Sequence, residues 1–82
     1  MIADCLSINE KNHLQIGGLD TVDLAKQYGT PLYVMDEEQI RNNCRLYKDA
    51  IDKFYDGNGL ILYASKAFSC MHIYRVMMQE GL

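Results

Sequence analysis

Lys66 is the residue of this sequence that is best placed to do chemistry. It follows the apolar run at residues 60–64 by two positions, within the stretch Tyr-Ala-Ser-Lys-Ala-Phe at residues 63–68. If this run is a strand, its period of two places Leu62, Ala64 and Lys66 on one face. The lysine then projects from the carboxyl end of the strand, where α/β folds build their active sites.

Two interpretations of this lysine remain open on the residues alone. An amine kept neutral by desolvation forms an imine with a carbonyl compound, and pyridoxal 5′-phosphate (PLP) is the commonest such partner. The small side chain of Ala64 leaves room for a flat group beside the strand. The alternative is an amine that extends to solvent at a strand end, which is the more common situation for a lysine.

The cysteines and histidines offer weaker candidates. Cys5, Cys44 and Cys70 are odd in number, and neither a Cys-x-x-Cys pair nor a zinc spacing with His13 or His72 occurs. We therefore predict no metal site and no disulfide scaffold, as in a reducing cytoplasm. Cys70 at a helix start could be reactive, and His72 could be a base, but an inert cysteine and a helix-surface histidine are favoured.

Composition excludes several classes of protein. The 82 residues are 49% hydrophobic with a formal charge of −3, and no two cations are adjacent, which is unlike a nucleic-acid binder. The longest apolar run, residues 60–64, is too short to span a membrane, and the first residues lack a basic leader. We expect a cytoplasmic protein with no nucleic-acid or membrane partner. A (β/α)₈ barrel needs roughly 250 residues, so this chain is too short for one.

The first third of the chain predicts a hairpin and a short helix. Residues 6–8 and 14–16 alternate in polarity around a polar loop, and Gly17-Gly18 then forms a turn rather than a phosphate-binding loop. A helix over residues 20–28 follows, with Asp20 or Thr21 as its N-cap and Gly29 as its end.

The remaining elements alternate as strand, helix, strand, helix. Residues 31–35 and 60–64 are predicted strands, and the second, being wholly apolar, should be covered on both faces. Asp36 and Gln39 form a capping box for the long helix between them, and a last helix runs over residues 69–80 until Gly81. The long helix carries one apolar stripe: Ile40, Cys44, Tyr47, Ile51 and Phe54. This order is typical of an α/β protein, but it cannot close a sheet by itself, so we expect a fragment.

The motifs resemble those of a known enzyme family. Residues 63–68 resemble the lysine signature of the alanine-racemase-fold (type III) PLP enzymes, in which this lysine ends the first barrel strand. Residues 16–18 and the segment Tyr-Gly-Thr-Pro-Leu-Tyr-Val at 28–34 are similar to the opening of the diaminopimelate decarboxylase family, and residues 73–82 to its first barrel helix. Phe68 departs from that family's usual Asn.

The resemblance implies a fold and an activity. The parent would be a homodimer with a PLP-binding (β/α)₈ barrel and a mostly β second domain, to which the hairpin at residues 1–19 contributes, while residues 20–82 start the barrel. Its reaction would be decarboxylation of meso-diaminopimelate, a small-molecule amino acid, to L-lysine in lysine biosynthesis. Lys66 would be the catalytic Schiff-base lysine, Ala64 would contact the cofactor, and Tyr63 would pack against a barrel helix.

Three alternatives to this enzyme remain. Ornithine, arginine and carboxynorspermidine decarboxylases share much of the same layout, so the motifs define the substrate less well than the family. A non-catalytic PLP-carrier barrel lacks the β domain, and the hairpin argues against it. An independent interaction module of 82 residues is the third possibility. The last of these predicts cooperative unfolding of the isolated chain, and we expect no decarboxylation by this chain alone.

Overall fold

A computed structural model describes residues 4–82 of the chain. Within these residues, three strands precede three helices, and the chain divides into two compact units, one ending at Gln39 and the other beginning at Ile40. The strands are β1 (Leu6–Ile8), β2 (Leu14–Ile16) and β3 (Leu19–Asp20). The helices are α1 (Thr21–Tyr28), α2 (Glu37–Tyr55) and α3 (Met71–Gln79). No helix in the described part of the chain is long and apolar enough to cross a membrane.

The predicted hairpin is confirmed in both its strands and its loop. β1 pairs with β2 in antiparallel fashion, with Leu6 opposite Ile16 and Ile8 opposite Leu14. Asn9 organises the loop, because its side-chain oxygen accepts hydrogen bonds from the backbone N–H groups of two later loop residues at 3.0 and 2.9 Å. An asparagine side chain that accepts hydrogen bonds from the backbone of the residues that follow it stabilises a turn.

A tight two-residue turn, Gly17-Gly18, adds a third strand to the sheet. Both glycines have positive φ, 58° and 82°. A type I′ turn, whose twist matches that of two antiparallel strands, requires positive φ at both of its central residues. β3 then pairs with β2, Ile16 lying opposite Leu19. The turn was predicted, but the short strand after it was not: Asp20 was expected only as part of the following helix, and no strand was predicted at Leu19.

Helix α1 begins and ends as the sequence predicts. Asp20 is its N-cap, and its carboxylate accepts hydrogen bonds from the backbone N–H groups of Val22 and Asp23. Gly29, with a φ of 80°, follows the last helical residue, and its N–H donates to the carbonyl of Ala25. Residues with φ in this region are most often glycine because a Cβ atom would clash with the backbone.

The predicted strand at residues 31–35 is wrong. These residues are exposed and belong to no β-ladder among the residues that the structure describes. A strand of this kind is stable only when its backbone groups pair with a neighbouring strand, and the local sequence supplies just the propensity for it.

Helix α2 has the predicted cap and only part of the predicted buried stripe. The Asp36 carboxylate accepts a hydrogen bond from the Gln39 backbone N–H at 3.0 Å, as an N-cap does. Cys44 is buried, as expected for a small apolar residue on the stripe, but Tyr47 and Phe54 are largely exposed. The apolar stripe is therefore buried at Cys44 and exposed at Tyr47 and Phe54.

The core of the second unit lies between α2 and α3. Val76, only 1% exposed, is at its centre, and Cys44, Ile73 and Met77 complete the buried cluster. The partly buried residues around the cluster are Ile40, Tyr63 and Leu82. The last helix is two residues shorter at its N-terminus than predicted and ends close to Gly81, whose φ is 85°.

Candidate active site

The segment before Lys66 divides its side chains between two faces. Ile61 and Tyr63 are partly buried, and Tyr63 packs against the α2–α3 core, which confirms that this ring packs against helices. Leu62 and Ala64 are exposed on the alternating positions, Leu62 to 78%. The predicted separation of odd and even positions is thus confirmed.

The predicted strand at residues 60–64 is nevertheless wrong for the described chain. The segment belongs to no β-ladder within residues 4–82, and one of its faces is exposed rather than covered. A strand buried on both faces needs sheet neighbours and a second layer, whereas helices α2 and α3 cover this segment on one side only. Leu62 and Ala64, on the even-numbered side of the segment, remain exposed.

Lys66 lies in a β-turn and not at the end of a strand. The Ala67 backbone N–H donates to the Ala64 carbonyl at 3.1 Å, which makes Lys66 the third residue of a four-residue turn. The Ser65 N–H donates to the Tyr63 carbonyl at 3.0 Å and tightens the entry to this turn. The side chain of Lys66 is exposed, and its amine makes no hydrogen bond or ion pair with any residue of the described part.

A side-chain hydrogen bond closes the turn from outside. The Tyr63 hydroxyl donates to the backbone carbonyl of Phe68, so that residues on both sides of the turn are joined. Sequence reasoning did not find this bond, because a contact between a side chain and a backbone carbonyl five residues later has no periodic signature.

An apolar cavity of about 460 Å³ lies beside the segment. It is open to solvent, and Ala64 belongs both to its lining and to the turn that carries Lys66. The other lining residues are Ile40, Asn43, Cys44, Tyr47, Ile61, Leu62, Tyr63, Met77 and Leu82. Most of these side chains are apolar, and cavities of this kind and size are where proteins bind small molecules.

The charged groups of the second unit stabilise the helix pair. Glu80 accepts hydrogen bonds from Arg45 and Arg41 at 3.0 to 3.1 Å, and these bonds hold the pKa of its carboxyl below the usual range. Burial raises the pKa of the Cys44 thiol, whose Sγ lies 3.6 Å from Sδ of Met77. A thiol that is harder to ionise is a poor nucleophile, so Cys44 acts as a packing residue.

The weaker candidates occupy the start of helix α3. Cys70 is the N-cap position and is exposed, and its side chain makes no capping hydrogen bond. His72 is exposed, as predicted for a helix-surface residue. No group of three potential ligands arranged for a metal ion occurs among residues 4–82.

Several curated proteins that are similar to this chain carry the same name. Diaminopimelate decarboxylases from Bacillus methanolicus, Synechocystis and Methanothermobacter thermautotrophicus are 47%, 39% and 43% identical to it over 92 to 93% of its residues. The chain spans only 16 to 18% of the length of these relatives. No family model and no solved structure matches the chain. The predicted resemblance to diaminopimelate decarboxylases is therefore confirmed.

Proposed function

We propose that this chain is part of a PLP-dependent diaminopimelate decarboxylase, which converts meso-diaminopimelate to L-lysine and CO₂. The observation that carries the proposal is the identity of 39 to 47% with proteins of that name over more than nine-tenths of the chain. Because the chain spans so small a share of these relatives, the activity would belong to a longer protein. In that protein, residues 1–19 would contribute to a β domain and residues 20–82 to the first part of the barrel.

The residues around Lys66 fit a flat cofactor held covalently. The amine is exposed and has no partner among the described residues, and the small, exposed Ala64 is the first residue of the turn that carries it. Lys66 would hold PLP through its amine, and Ala64 would contact the cofactor ring. When bound, PLP supplies the electron sink that makes loss of CO₂ from an amino acid possible.

Lys66 has two tasks in this proposal. Its amine would hold the cofactor, and the same amine would be placed to transfer a proton. Leu62 and Ala64 are exposed in the described part of the chain, and further residues of the longer protein would cover them and exclude water from the cofactor. The substrate would be a small amino acid, and a homodimer would be the working form.

Substitution of Lys66 in the full-length protein tests this proposal. We expect Lys66→Arg to reduce CO₂ release from meso-diaminopimelate by at least a hundred-fold, because an arginine cannot form the covalent bond to PLP. Lys53→Arg is the matched control, since Lys53 lies near the C-terminus of helix α2 and should leave the rate unchanged. Equal loss of activity in both lysine variants, or no loss in either, would contradict the role of Lys66.

The substrate from which CO₂ is released identifies the type of decarboxylase. Release of CO₂ from ornithine or arginine but not from meso-diaminopimelate would replace the proposed substrate, and no release from any of them would favour a PLP carrier.

A further inference from the structure

The turn that carries Lys66 is held at both ends by one side chain. Tyr63 precedes the turn and Phe68 follows it, and the Tyr63 hydroxyl donates a hydrogen bond to the Phe68 carbonyl. The four residues between them contain the β-turn bond from the Ala67 N–H to the Ala64 carbonyl. Two hydrogen bonds therefore span Lys66: one joins the backbone of Ala64 and Ala67, and the other joins the Tyr63 side chain to the Phe68 backbone.

The tyrosine ring is itself fixed by the helices. It packs against the cluster formed by Cys44, Ile73, Val76 and Met77, whose side chains are the most buried of the described chain. Contact with this core limits the positions of the ring, so its hydroxyl can restrict the backbone that it bonds to. The rest of the turn is exposed and has no comparable anchor in the described residues.

We propose that Tyr63 is a positioning residue for Lys66: its hydroxyl links the turn to the α2–α3 core and so limits the positions available to the amine. This inference rests on the proposed function, because it assigns Tyr63 a role in presenting the lysine to PLP. If the cofactor binds only one conformation of the turn, its apparent affinity is reduced by the fraction of molecules in which the turn has that conformation. Preorganisation of the turn therefore improves affinity without any contact between Tyr63 and the cofactor.

The test compares two tyrosine-to-phenylalanine variants of the full-length protein. Tyr63→Phe keeps the ring on the core and removes only the hydroxyl. Tyr55→Phe is the matched control, because Tyr55 is exposed at the end of helix α2. Two quantities are measured: amide hydrogen exchange of residues 64–68 without PLP, and the affinity for PLP from the visible absorbance of the bound cofactor.

Loss of one hydrogen bond sets the expected size of both effects. We expect exchange of the Ala67 amide to become about five-fold faster in Tyr63→Phe, and PLP to bind about five-fold more weakly, which is the ordinary net effect of one neutral hydrogen bond. Tyr55→Phe should match the unsubstituted protein in both measurements.

The outcomes separate this inference from the proposed function. Unchanged exchange in Tyr63→Phe would overturn the inference, and so would faster exchange with unchanged PLP affinity, since the bond would then be structural only. If borohydride with PLP labels a lysine other than Lys66 in the unsubstituted protein, the proposed function itself is wrong, whatever Tyr63 does to the turn.

Discussion

The Gly17-Gly18 turn allows a sharp test of how the first unit is held together. A Cβ atom added at Gly17 would lie 2.6 Å from Oδ2 of Asp36, whereas one added at Gly18 would meet nothing within 4 Å. Both glycines have positive φ, so alanine is strained at either position. The two substitutions therefore share the backbone strain and differ only in the collision with Asp36.

The collision matters because Asp36 caps helix α2. Its other carboxylate oxygen accepts the Gln39 N–H at 3.0 Å, and moving the side chain away from a new methyl group breaks or lengthens this bond. The left-handed backbone costs alanine about 1–2 kcal/mol at either site. Loss of an N-cap adds about 1 kcal/mol, so we expect Gly17→Ala to destabilise the unit by about 2–3 kcal/mol and Gly18→Ala by about 1–2 kcal/mol.

Amide exchange of Gln39 and urea unfolding of the full-length protein measure the two effects. We expect the Gln39 amide to exchange faster in Gly17→Ala and to remain protected in Gly18→Ala. A third variant, Gly17→Ala with Asp36→Ser, keeps a capping oxygen on a shorter side chain and should restore the cost to that of Gly18→Ala. Equal costs for the two glycines, or an unchanged Gln39 amide in Gly17→Ala, would refute the reasoning.

Two further predictions concern the core of the second unit and the acid stability of the first. Met77→Ala should cost about 2–4 kcal/mol of unfolding free energy in a urea titration, because Met77 is only 7% exposed. The neighbouring Met78 is 71% exposed, so Met78→Ala should change the unfolding free energy by no more than about 0.5 kcal/mol. Equal costs for the two variants would contradict the assignment of the core. Burial raises the pKa of Asp20, but hydrogen bonds from His13, from Asn9 and from the N-terminal backbone of α1 outweigh it and lower the pKa to about 2. Because the folded pKa is below the ordinary 3.8, the stabilisation by the carboxylate is complete above that value and is lost as the pH falls towards 2. An NMR titration of the Asp20 carboxyl should give a midpoint of about 2. In Asp20→Asn, the protection of the α1 amides against hydrogen exchange should no longer fall between pH 3.8 and pH 2. A midpoint near 3.8 would contradict the hydrogen-bonded arrangement.

Features that depend on neighbouring residues were predicted well from the sequence. The hairpin pairs the residues expected, and the caps of α1 and α2, Asp20 and Asp36, make the expected bonds with the helix backbone. Each of these follows from interactions over two to ten positions, where side-chain type and spacing nearly determine the geometry. The separation of Tyr63 from Ala64 on opposite sides of their segment is similarly a consequence of local alternation.

Features that depend on distant partners were predicted less well. The segments at residues 31–35 and 60–64 have strand-like composition, but a ladder requires a second strand that the local sequence does not describe. Lys66 was expected at a strand end and lies in a turn, since without a ladder the backbone satisfies its hydrogen bonds locally. The bond from Tyr63 to Phe68 could not be predicted, because it depends on where the helix pair places the ring.

The site of covalent attachment of PLP tests the central claim most directly. The full-length protein is incubated with PLP, reduced with borohydride and digested, and the labelled peptide is identified by mass spectrometry. The account predicts a single label on Lys66, in the peptide that contains Ala64 and Phe68. A label on any other lysine, or none at saturating PLP, would contradict it.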